Sequence, residues 1–166
     1  MAYLIDFIKN KPLKKIPEYI CYRHPKSNLY IMADKKGCIV GRMNAHPKYV
    51  PDSDTYYPGE SGYYSFYINR LFVDKDFRNK GVGKAFLNIA AKESYRRNCD
   101  GKVHLIAAIL EGGGKPPQKL YRKYGFDSRN KYHIALIDKA IKDKTDVSKM
   151  CWHTPMYLPK KNKLEK

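Results

Sequence analysis

The chain has 166 residues, 43% hydrophobic and 13% aromatic, which suits one folded domain with a proper core and excludes a disordered chain. Thirty-three Lys and Arg against sixteen Asp and Glu give a net charge of +17. That potential favours anionic partners such as nucleotides, nucleic acid or acidic proteins, although the scattered lysines suit a solvated surface equally well.

No apolar run approaches the ~18 residues of a membrane span. The opening MAYLIDFIKNKPLKK has its apolar part before its basic part, the reverse of a secretory signal. A cytoplasmic protein without membrane partners is expected. Cys21, Cys38, Cys99 and Cys151 lie far apart with no C-x-x-C pair, so they read as reduced, packed thiols and no metal site is expected.

In chain order, residues 3–8 suit the start of a strand, and residues 12–22 suit a short helix around Ile16, Tyr19 and Ile20. Strands follow at Leu29–Ala33 and Cys38–Asn44, with Asp34-Lys35-Lys36-Gly37 as a hairpin turn. Residues 46–62 carry Pro, Gly and Asp at turn density and read as a long loop. Tyr63–Val73 reads as a long strand, Gly81–Arg97 as a helix and Val103–Leu110 as a strand. After EGGGKPP, residues 117–124 suit a short helix with a proline in its first turn and Gly125 as its left-handed cap. Two further strands are expected, Tyr132–Ile137 and Cys151–Leu158. This order gives an α/β protein with a mixed sheet: a single domain over residues 1–159, and a basic tail at 160–166.

The turn Arg78-Asn79-Lys80-Gly81-Val82-Gly83, between a strand and a helix, is the chemical signal of the chain. A P-loop would need glycine where Arg78 stands and Ser or Thr where Ala85 stands. A dinucleotide-binding G-x-G-x-x-G would need glycine at Phe86. The remaining pattern, R-x-x-G-x-G, fits Arg78, Gly81 and Gly83. A helix N-terminus offers unpaired N–H groups and partial positive charge to a pyrophosphate. Glycines there would let phosphate oxygens approach, and Arg78, Lys80 and Lys84 add charge beside them.

These residues resemble motif A of the GNAT superfamily of acyl-CoA-dependent N-acetyltransferases. LYRKYGF (Leu120–Phe126) resembles the L-Y-x-x-x-G-F segment near the end of that core, and MYLP (Met156–Pro159) fits its last strand. The resemblance covers residues 60–126 well, and residues 1–60 only in element order. It implies a mostly antiparallel sheet flanked by helices and splayed between its fourth and fifth strands, here Tyr63–Val73 and Val103–Leu110. It further implies acetyl-CoA in that gap as co-substrate, with backbone groups of Leu71, Phe72 and Val73 along the pantetheine and Asn79, Lys80, Gly81, Val82, Gly83 and Lys84 around the pyrophosphate. No metal is implied.

The implied reaction is attack of a primary amine on the thioester. An amine of pKa ~10.4 must lose a proton, and the thiolate must gain one. Tyr121, the tyrosine of L-Y-x-x-x-G-F, is the acid the resemblance implies, with Tyr124 out of register. Glu111 is the first candidate base, and Glu60, Asp54 or a water relay are alternatives. Gly114 stands where many relatives carry a pantetheine-contacting asparagine, which leaves a weakly catalytic acyl-CoA-binding module open. The acceptor is a protein, peptide or small amine, with aminoacyl-tRNA as the alternative that the basic charge permits. Loop 46–62, segment 138–149 and the tyrosines 49, 56, 57, 63 and 64 are where acceptor choice is expected. Exposed edges of the last strands are compatible with a homodimer.

Overall fold

The structure, a computed structural model, describes residues 14–16, 19–52, 57, 60–108, 117–145 and 153–159. They form a seven-stranded sheet whose spatial order follows the sequence: β1 (Lys14–Ile16), β2 (Tyr19–Arg23), β3 (Leu29–Asp34), β4 (Ile39–Val50), β5 (Tyr63–Val73), β6 (Val103–Ala108) and β7 (His153–Leu158). All neighbours are antiparallel except β5 and β6. Among the described residues three α-helices accompany it: α1 (Val82–Arg96), α2 (Gln118–Tyr124) and α3 (Lys131–Lys142). The parallel pair is the expected one, Tyr63–Val73 with the strand that begins at Val103, and it is the fifth and sixth of the described strands because β1 and β2 precede Leu29.

The sequence reading is corrected at three places. Residues 14–16 and 19–23 are strands, where a helix over 12–22 was expected. Tyr19 and Cys21 are buried while Ile20 and Tyr22 are only partly so, the two-residue period of a half-buried strand. The expected loop 46–62 begins as strand, because β4 runs on to Val50. Pro47 is tolerated there for a definable reason. β4 outlasts β3, whose last pair is Leu29 with Asn44. Opposite Pro47, the N–H of Phe66 turns away to the Lys102 carbonyl. The rung therefore needs no donor from Pro47, whose nitrogen faces an edge that no described strand pairs.

The third correction is Tyr132–Ile137, which lies in α3 instead of a strand. Ile134, Ile137 and Ala140 are buried on one face, and the Asn130 side chain caps the helix by accepting from the His133 N–H at 3.1 Å. Residues 3–8 lie outside the described residues. Cys21 and Cys99 are buried free thiols, as expected, whereas Cys38 is exposed. Burial, then the charge of Glu93, pushes the Cys21 thiol up to about 12.

One face of the sheet carries the main core. Phe66, Leu105 and Met156 pack there with Phe86 and Leu87 of α1. α1 is pressed onto β4 so closely that a Cβ on Gly41 would lie 2.8 Å from the Phe86 ring and 3.0 Å from the Phe72 carbonyl oxygen. The far end of α1 is tied to β3 by a buried carboxylate. The Tyr30 hydroxyl donates to Glu93 at 3.1 Å, and Arg96 and Arg97 approach the same group at 3.1 and 3.8 Å. Removing Glu93 would strand the Tyr30 hydroxyl in the interior. Glu93→Ala is expected to lower unfolding free energy by about 3 kcal/mol. Arg96→Ala, at the exposed end of the network, should lower it by less than about 1 kcal/mol. Urea denaturation of both variants compares the two losses.

Candidate active site

β5 and β6 pair over only three rungs, Phe66–Val103, Tyr67–His104 and Ile68–Leu105. The next residue of β5 explains why they stop. In the β4–β5 register Asn44 pairs with Arg70 but Ala45 pairs with Ile68, so Asn69 is an extra residue on β5. Such a bulge bends its strand and increases its twist. Beyond it β5 continues to Val73 alongside β4 alone, and a gap opens toward the C-terminal ends of the two parallel strands.

The bulge also sets which groups line the gap. The Asp74 N–H donates to the Val40 carbonyl, so backbone groups of residues 74, 72 and 70 turn to β4. Those of Leu71 and Val73 turn the opposite way, toward the gap, while their side chains pack against the main core. The backbone of Phe72 is thus taken up by β4, and its side chain stays 48% exposed.

At the end of β5, Asp74 caps a 3₁₀ turn over Lys75–Phe77, its carboxylate accepting from the Asp76 N–H at 3.1 Å. Arg78 bends back to donate from Nε to the Val73 carbonyl at 3.2 Å, and Lys80 lies 5.3 Å from the centre of the Phe77 ring. α1 then starts without a side-chain cap and without an acidic residue in its first turn. Its cap residue satisfies none of the first N–H groups through a side chain, and exposed Arg78, Asn79, Lys80 and Lys84 lie around them. The two glycines have different reasons. Gly81 is the helix N-cap at φ 83°, a conformation that disfavours any side chain, though a Cβ would meet nothing within 4 Å. Gly83 lies close to α2, where a Cβ would come within 2.9 Å of Leu120 Cδ2, the far end of a flexible side chain.

α2 therefore rests directly on the first turn of α1. Pro117 precedes it and Gly125 caps it at φ 117°. Tyr121 of α2 is 5% exposed, its ring 5.8 Å from Phe126, and burial holds its phenol well above the usual range. Tyr124 is engaged elsewhere: its hydroxyl donates to Asn88 of α1 at 2.8 Å.

The candidate carboxylates separate. Glu60 pairs with buried Lys102 at 3.1 Å. The Lys102 carbonyl accepts from Phe66 at the closed end of the β5–β6 pair, so Glu60 sits away from the gap as a partner for a buried charge. Glu111, Asp54 and Gly114 lie outside the described residues, as does Tyr56. The expected tyrosine wall divides in two. Tyr49 and Tyr64 meet edge-on across β4 and β5 at 5.5 Å and are exposed, whereas Tyr57 and Tyr63 join Tyr157 and Val50 in a second buried cluster.

One row went unnoticed in the sequence. On the face opposite the helices, His46, Tyr67, His104 and Tyr157 are successive partners across β4, β5, β6 and β7. The His104 ring stacks on Tyr67 at 4.8 Å, and Lys48 lies 4.7 Å from the centre of the same ring. Burial first, then Lys48 and His46, lowers the His104 imidazole to about 4, so it stays uncharged at neutral pH. Within the apolar run 103–110 only its interruption of that run signals His104, and its partner is fixed by a parallel register the sequence does not display. Among the described residues no group of three or more His, Cys, Asp or Glu side chains is placed to hold a metal ion, and no helix is long and apolar enough to cross a membrane.

No curated protein sequence matches the chain. Solved structures share its fold at low identity. A Bacillus subtilis N-acetyltransferase, YlbP, in complex with coenzyme A is 15% identical at a TM-score of 0.50, over 81% of this chain and 68% of that one. Chaetomium thermophilum Naa20 in complex with a bisubstrate analogue is 15% identical at 0.50, over 79% and 65%. A structure described as a bacterial toxin is 12% identical at 0.52, over 83% and 66%. The chain thus spans about two thirds of the length of each. The family model for the acetyltransferase (GNAT) family matches residues 2–126. The chain belongs to the acetyltransferase (GNAT) family and is an acyltransferase.

Proposed function

We propose that the protein transfers an acetyl group from acetyl-CoA to a primary amine by direct attack within a ternary complex. The observation that carries this reading is a coincidence of place. The gap between β5 and β6 opens toward the same strand ends at which α1 begins without a cap, amid Arg78, Lys80 and Lys84. One feature donates hydrogen bonds to a diphosphate, and the other leaves strand backbone groups for an amide-bearing arm.

In this reading the N–H groups that open α1, from Val82 to Lys84, hold the pyrophosphate, with Asn79 to Gly81 shaping the turn. Leu71 and Val73 offer backbone groups to the pantetheine amides, and Phe72 contributes its side chain at the lip of the gap. Tyr121 acts as the acid. A phenol is protonated at neutral pH, and burial, which disfavours the phenolate, keeps it so until the departing thiolate takes the proton. Glu111, three residues beyond the end of β6, takes the amine proton directly or through water. The bonds balance: the amine nitrogen gains the acyl carbon, the carbon–sulfur bond breaks, and one proton passes from nitrogen to sulfur through these groups. Coenzyme A found in complex with YlbP supports the choice of acyl donor.

Two outcomes test the roles. Tyr121→Phe is expected to lower turnover by ~10²-fold or more while leaving acetyl-CoA affinity nearly unchanged, read by thiol release and calorimetry. Wild-type turnover in that variant would remove Tyr121 from the reaction. At the phosphate end, Gly83→Ala and Gly83→Asp meet Leu120 alike, but only the second adds negative charge. Thermal shift with acetyl-CoA should persist in the alanine variant and vanish in the aspartate variant. Equal loss in both would mean that packing on α2, and not a bound phosphate, constrains position 83.

A further inference from the structure

The face opposite the helices has an unusual charge distribution where the gap opens. Beyond the bulge, Phe72 and Arg70 of β5 lie on this face beside Arg42 and Asn44 of β4. Arg42 pairs with Phe72 and Asn44 with Arg70, so the two arginines are diagonal neighbours, on the order of 7 Å apart at the backbone. Lys48 stands further along the same side of β4, past His46. Arg42, Lys48 and Arg70 are all exposed, and none forms an ion pair with a described residue.

No Asp or Glu occurs anywhere in β4, β5, β6 or β7. Of the carboxylates that flank these strands, Glu60 pairs with Lys102 and Asp74 caps the 3₁₀ turn, while Asp52 follows the far end of β4, beyond Lys48, and forms no ion pair with a described residue. Adjacent like charges across a sheet are unfavourable, and here no described side chain offsets them. Two apolar side chains flank the opening, Phe72 on the β5 side and Ile106 on the β6 side, 48% and 46% exposed. The floor between them is the His46–Tyr67–His104 row, with His104 uncharged. Such a surface suits an aliphatic stem ending in an anion and repels a polybasic one.

Building on the acetyl-transfer reading, we propose that this face is the acceptor side of the cleft and selects amines that carry an anionic group, held by Arg42 and Arg70. The chemistry is shared by carboxylate and phosphate, since guanidinium groups bind either through paired N–H donors. Phe72 and Ile106 cover the stem that joins the anion to the amine, and Lys48 adds long-range attraction.

The test compares three acceptors of one chain length, an aminoalkyl carboxylate, an aminoalkyl phosphate and a neutral amino alcohol. Each anionic acceptor should exceed the alcohol in kcat/KM by about tenfold or more, chiefly through KM, because charge-assisted hydrogen bonds are at stake. Arg42→Gln and Arg70→Gln should each shrink that preference by about tenfold. Lys35→Gln, in the exposed β3–β4 turn, should leave it unchanged. The ratio of carboxylate to phosphate identifies which anion is the better fit.

A second readout needs no turnover. The N-acetylated carboxylate and phosphate are titrated calorimetrically into protein loaded with CoA, and should bind about tenfold more weakly to each arginine variant. If no amine is acetylated yet this difference appears, the acetyl-transfer reading fails and the anion site stands. Equal use of the three acceptors, or equal binding by wild type and variants, overturns the site. Salt-sensitive capture of RNA without preference among the three acceptors also overturns it, in favour of phosphodiester contacts.

Discussion

A single extra residue, Asn69, sets where β5 parts from β6, and with it the geometry of the candidate site. Before it, β5 is an interior strand with partners on both sides; after it, β5 keeps β4 and leaves β6. The same residue reverses the alternation of side chains. Phe66 and Ile68 face α1 before the bulge, and Leu71 and Val73 pack on that side after it. Were residues 68–73 paired with β4 without a bulge, Arg70 and Phe72 would fall on the helix side instead. The end of the β5–β6 pairing and the outward placement of Arg70 and Phe72 thus share one cause, while Arg42 and Lys48 owe their side to β4.

The second constraint is the contact between Gly83 and Leu120. It seats α2 on the first turn of α1, so the segment bearing Tyr121 and the uncapped helix start are positioned against each other directly. Tyr124 reinforces the arrangement one turn later through Asn88. Both helices in turn contact the strands that bound the gap, α1 on β5 and α2 on β6. The proposed phosphate end and the proposed acid are therefore held against each other by one small set of contacts.

Much of this was legible in the sequence because its causes are local. Gly81 and Gly125 mark helix ends that need left-handed backbone, and β5, α1 and α2 fall close to their expected bounds. What escaped depends on partners distant in sequence. Ile16, Tyr19 and Ile20 have a spacing that suits either a helix or a hairpin, and pairing with β3 decides for the strand. Tyr132 to Ile137 has strand-like composition, but the Asn130 cap and the three-residue spacing of buried positions make it helical. Asn69 cannot be recognised as a bulge without β4 beside it. Glu60 looks like a catalytic carboxylate until Lys102 is found against it.

Pro47 carries a consequence for how the molecule meets other chains. The outer half of β4 extends past β3 into a margin that no other described strand pairs, the kind of edge to which foreign strands add by backbone pairing. A visiting strand would find no N–H at the middle of that margin, and the neighbouring Lys48 would oppose close approach by another basic copy. A protein this positively charged and rich in exposed tyrosine thus carries its own guard against sheet-to-sheet association, set at the one stretch of β4 where its neighbour has run out.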